Sequence, residues 1–233
     1  MHRIELYAPV HKGLRAEAFE LARELSRTDW GDDAQATAAA GRVARLVEFL
    51  EEHAQHEDTH LMPLVARAAP ALARELESEH TRVDAALRGL AALAARIGGA
   101  RNGGRAALGR ELERCFQLAL AEQLVHLQRE EHEAEPALHA QLGADELVRA
   151  HERILADIPP PRLAQWFELI LPALGDEECA RMLAGLYASA PHDVFEALTT
   201  PARMRLGAQA WTSACVRAAL PAERVRVERS PRN

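Results

Sequence analysis

Long uncharged apolar runs are absent from this chain, and none approaches the roughly 20 residues that cross a bilayer. A membrane span is therefore not expected. The opening MHRIELYAPVHKG has no apolar stretch of the kind that a secretory leader needs, so the cytoplasm is the expected compartment. Cysteine is scarce: Cys115, Cys179 and Cys215 lie far apart with no C-x-x-C pair, which argues against a disulfide framework and against a cysteine-built zinc site. Alternating Val/Ile/Tyr/Phe patterns are missing, so strands are not expected. Basic charge is also short. Lys12 is the only lysine and the formal net charge is -7, which speaks against a nucleic-acid-binding surface. Arg224, Arg226, Arg229 and Arg232 make residues 221–233 a basic tail, read as a solvated terminus.

What the chain does have is helix-forming residues in quantity. Of its 233 residues 48% are hydrophobic and 27% charged, enough to bury a core while keeping a charged surface. Ala, Leu, Glu and Arg fill long stretches at helical spacing. Helices are expected near 9–27, 34–66, 71–97 and 106–135, separated by the Ser26–Gly31 segment, Pro70 and the glycine-rich run 98–104. The apolar stripes read Val43, Leu46, Leu50, His53, Glu57, Leu61 on the second helix and Leu76, His80, Val83, Leu87, Leu90 on the third. On the fourth they read Leu108, Leu112, Cys115, Ala119, Glu122, His126, Glu130. Four long amphipathic helices with short connections predict an all-α, up-down four-helix bundle over residues 1–142. Residues 143–220 read as a C-terminal helical extension packed on it. Its faces are Leu163, Trp166, Phe167, Ile170, Leu174; then Met182, Leu183, Leu186, Tyr187; then Met204, Ala208, Trp211, Cys215.

A repeat carries the chemistry. Residues 53–63 read HAQHEDTHLMP and residues 126–136 read HLQREEHEAEP, and both fit H-x-x-x-E-(D/E)-x-x-x-x-P. Each copy is preceded by a helix that offers one more histidine, His11 and His80. Positions i and i+4 share a helix face, so His53 with Glu57 and His126 with Glu130 point together into the bundle. Carboxylates on an apolar stripe are expensive to bury unpaired, and metal cations supply the compensation. Imidazole with carboxylate suits iron, manganese or zinc, and six ligands exceed what one tetrahedral zinc takes. Two metals bridged by the two glutamates account for all six.

These residues resemble the hemerythrin family in its HHE cation-binding form, over about residues 5–140. The resemblance rests on His11, on His53-x-x-x-Glu57 with a following Leu-Met-Pro, on Glu79-His80, and on His126-x-x-x-Glu130-Glu131. It implies two iron ions, with His11, His53, His80 and His126 as terminal ligands and Glu57 and Glu130 as bridges. Spacing alone leaves the pairing of the histidines open, while the repeat favours His11 with His53 and His80 with His126. Oxygen-carrying members have a further histidine one turn after the one matched by His80. Here that position is Asp84, which brings the chain nearer to four-histidine relatives that sense, repair or supply iron.

Three further residues are candidates for supporting the ligands: His60, Glu122 and Asp84. Glu122 falls where the other copy has Phe49, and is read as an inward proton relay or seventh ligand. The expected function is binding or sensing of dioxygen, nitric oxide or iron. The alternative is an oxidoreductase acting on peroxide, dioxygen or an organic substrate. A channel lined by Glu122 or Asp84 would favour the enzyme, and a closed apolar pocket the binding protein. The run WFELILPAL resembles tails on longer relatives, and the extension is expected to cover a bundle end, limit solvent entry or form a homodimer surface.

Overall fold

The computed structural model describes residues 4–100 and 104–221. The basic tail therefore lies outside the described residues except for Pro221, as does part of the glycine-rich run. Among the described residues there is no strand. The helices are α1 (Ala8–Leu25), α2 (Asp33–His56), α3 (Met62–Ala68), α4 (Pro70–Gly99), α5 (Gly104–Arg129), α6 (Glu135–Gln141), α7 (Ala144–Asp157), α8 (Pro160–Ile170), α9 (Asp176–Ser189) and α10 (His192–Arg217). The chain divides into two compact units, residues 1–154 and 155–233.

In the first unit α1 packs on α2, α2 on α4, α4 on α5, and α5 back on α1, which closes a four-helix ring. Local chemistry sets the ends of these helices. Asp32 caps α2 by accepting the Gln35 N–H at 2.9 Å, and Pro70 supplies the fixed backbone that suits a first helical position in α4.

The expected helices 34–66 and 106–135 are each interrupted by a wide π turn, Glu57–Leu61 and Glu130–Ala134. The cause is the proline that ends each copy of the motif. Pro63 and Pro136 lack an N–H and their rings would crowd the carbonyl four residues back. The chain instead closes the longer bonds Met62 N–H to Glu57 O and Glu135 N–H to Glu130 O.

One end of the bundle is filled by Tyr7, Leu61, Val65, Leu76, Ala134 and Leu138, joined by Leu147 and Ala150 of α7. This is why the division between units falls after Ile154 rather than at 142: α7 shares that core.

The second unit has its own apolar cluster, with Leu171, Cys179, Leu183, Phe195, Trp211 and Cys215 at its centre. The expected stripe through Met204 and Ala208 is corrected here. Met204 is 80% exposed, because Gly207, at φ 77° and ψ 165°, breaks α10 and resets the register before Trp211.

Candidate metal centre

Each long element of the bundle delivers its chemistry at the same level. His11 lies in the first turn of α1, His53 in the last turn of α2, His80 mid-way along α4 and His126 in the last turn of α5. Glu57 and Glu130 open the two π turns. All six are buried, His11 and Glu130 completely.

They form two groups, His11/His53/Glu57/Glu130 and Glu57/His80/His126/Glu130, each with ligand atoms within 4.8 Å of one another. Each carboxylate spans both groups. Glu57 Oε1 faces His53 Nε2 at 3.1 Å and His11 Nε2 at 3.5 Å, while its Oε2 faces His80 Nε2 at 3.9 Å. Glu130 Oε1 faces His126 Nε2 at 3.2 Å and His80 Nε2 at 3.5 Å, while its Oε2 faces His11 Nε2 at 3.5 Å. His11 Nε2 and His53 Nε2 converge at 3.0 Å.

Three imidazoles are held from behind. His11 Nδ1–H donates to Glu131 at 2.9 Å, His80 Nδ1–H to Asp58 at 2.7 Å, and His126 Nδ1–H to Glu79 at 3.0 Å. An ionised carboxylate only accepts, so these contacts keep a proton on Nδ1 and leave Nε2 as the nitrogen that faces inward. Arg15 in turn donates to Glu131, and Arg129 to Glu79, Glu75 and Glu133.

The electrostatics describe a site strained by its own charge. Burial and the neighbouring Glu130 carboxylate push Glu57 up to about 7. Burial also opposes ionisation of Glu130, but His126 and His80 outweigh it and hold the group below the usual carboxylate range. Burial opposes charging of His11 and His80 as well, yet the carboxylates around them raise both to about 9. His53 goes the other way: burial, then the adjacent His11, pushes it well below its ordinary value. Both oxygens of Glu57, both oxygens of Glu130 and His80 Nε2 are buried without a hydrogen-bond partner. Leaving such atoms unsatisfied costs about 1–3 kcal/mol each, and more for charged groups.

The family model of the hemerythrin HHE cation-binding domain matches residues 2–138, the part of the chain that holds all six residues. The chain belongs to this family. No curated protein and no solved structure matches it. The HHE site fits cations on its chemistry: hard carboxylate oxygens and borderline imidazole nitrogens, pre-aimed and orphaned in an apolar interior, are the donors that divalent metals of the iron, manganese and zinc group take.

The other candidates fall outside both groups of this HHE bundle. His60 is half-buried in the first π turn and Asp84 half-buried on α4. Glu122 is exposed, which corrects its expected inward placement. The phase of α5 is set near its start, where Gly109 lies so close to Trp30 that an added Cβ would come within 2.0 Å of the ring. The buried stripe consequently runs Gly109, Leu112, Phe116, Gln123, His126, so Gln123 takes the inward place.

Gln123 lines a small cavity with Leu14, Leu50, Leu87, Phe116 and Leu127, one turn from the histidines. The cavity leaves about 20 Å³ for the centre of a water-sized molecule, enough for one such occupant. Sequence reasoning also assigned no role to Asp58, Glu131 or Glu79. The signal for the first two was the acidic residue after the glutamate in both motif copies.

Proposed function

We propose that this HHE bundle is a non-heme di-iron protein that binds or senses a small ligand, dioxygen or nitric oxide, or iron itself. The supporting observation is that two four-residue groups share the Glu57 and Glu130 carboxylates, whose four oxygens are buried with no hydrogen-bond partner. His11 and His53 would hold one ion and His80 and His126 the other, with Glu57 and Glu130 as bridges. When bound, iron would supply a redox-active centre for small oxygen- or nitrogen-containing ligands.

The protein's own part is to fix the ligand geometry. Glu131, Asp58 and Glu79 orient the imidazoles, and the end cluster around Tyr7, Leu61 and Leu138 keeps bulk water from one side. On the other side the approach is apolar apart from Gln123 and Arg15. With Glu122 at the surface, this supports small-molecule binding over an enzyme with an acidic substrate channel. Among the described residues no helix is long and apolar enough to cross a membrane.

The test is metal content per chain after growth in iron, read with the visible spectrum under argon, air, nitric oxide and peroxide. Two irons and a spectrum that returns when the gas is removed are expected. Rapid peroxide turnover would favour the oxidoreductase, and metal content unchanged in His53→Ala and Glu130→Ala would refute the ligand assignment.

A further inference from the structure

The repeat makes the two halves of the site comparable residue by residue, and they are not equal. His80 relates to Asp58 as His11 does to Glu131, and both pairs are made. The second relation is broken. Glu79, directly before His80, accepts from His126 at 3.0 Å. The matching residue, directly before His11, is Val10, which has no carboxylate to offer His53.

His53 accordingly meets its polar partners through Nε2, His11 at 3.0 Å and Glu57 at 3.1 Å. Among the described residues no carboxylate pairs with its Nδ1. One half of the centre thus has both imidazoles backed, and the other has one. Asp58 is 53% exposed and backs His80 weakly, whereas Glu79, at 14%, is shielded and clamped by Arg129.

We propose that the two metal positions differ in affinity: the His80/His126 position fills first and holds its ion, and the His11/His53 position is the exchangeable one. This rests on the two-metal reading above. A carboxylate behind a ligating histidine fixes its tautomer and orientation and raises its basicity, and losing one costs roughly 10–100-fold in affinity. The backing that the other half lacks is the one Glu79 gives His126, so a difference of roughly 10–100-fold is expected.

The experiment is anaerobic calorimetric titration of the metal-free full chain with Fe(II), with circular dichroism to verify that each variant keeps its helices. Wild type should show two resolved steps. His53→Ala should keep the tighter step and His126→Ala only the weaker one. Glu79→Gln, which preserves shape, should bring the tight step down by roughly 10–100-fold while leaving the other in place. Val10→Glu should strengthen the weak step, with Val10→Leu as the control for size.

Two equal steps in wild type would overturn the inequality and leave the di-metal reading standing. So would retention of the tighter step by His126→Ala, or a Glu79→Gln effect confined to the weak step. No Fe(II) bound by wild type would instead remove both.

Discussion

The two units bury polar groups in opposite ways. In the second, Thr199 is buried and its hydroxyl donates to the Phe195 carbonyl of its own helix at 2.8 Å, so the group is satisfied within one turn. In the first, Glu57 and Glu130 are buried with four oxygens that have no hydrogen-bond partner. The second interior is an apolar core around Trp211 and Phe195, whereas the first gathers imidazoles and carboxylates in the arrangement that could hold a metal ion. A core that satisfies its own polar groups is stabilised by folding alone, while one that does not couples its stability to what it binds.

The largest effect that would sharpen this comparison is on the apolar side. Trp211→Ala should destabilise the second unit by about 3–5 kcal/mol through the cavity it leaves. The metal content should stay at the wild-type level, as measured by calorimetric unfolding together with metal analysis. Loss of metal in that variant would break the separation of the two cores.

Next comes the metal itself. Fe(II) at a hundredfold excess over its dissociation constant should stabilise the bundle by about 2.7 kcal/mol, and a chelator should reverse it. A unit-two transition moving by the same amount would refute the contrast.

Gly109→Ala forces a Cβ into the Trp30 ring and should cost the bundle about 1–3 kcal/mol in denaturant titration, with no change in the second unit.

Smallest, and readable by hydrogen exchange on the metal-free chain, is the pH dependence. His11 and His80 are raised to about 9 by their carboxylates, so their contribution is complete below 6.5 and is lost as pH rises through 9. Glu57, raised to about 7, favours the native state at low pH and loses that contribution between 4.5 and 7. His53, held below its ordinary value, pulls the other way as it charges at acid pH. Protection in the bundle should therefore fall from pH 6.5 to 9. Iron should flatten the dependence, because ligation replaces protons on the same nitrogens and oxygens.

Thiol reactivity offers a further contrast. Burial pushes Cys179 and Cys215 each up to about 11, so at pH 8 both should label more slowly than the half-buried Cys115.

The sequence by itself determined the helical class, the positions of the long helices and the six residues that meet at the centre. A two-fold repeat of i, i+4 pairs on apolar stripes has few other physical readings, because helical periodicity fixes which side chains share a face. Tertiary structure decided everything that depends on a second element. It turned α5 so that Gln123 and not Glu122 faces inward, because Trp30 packs on Gly109. It opened π turns at Glu57 and Glu130, and it drew α7 into the bundle core. It also paired Glu79 with His126 although its neighbour in sequence is His80. Spacing along one helix constrains a side chain's direction to within a residue or so. The partner across the interface is chosen by packing, which no single helix encodes.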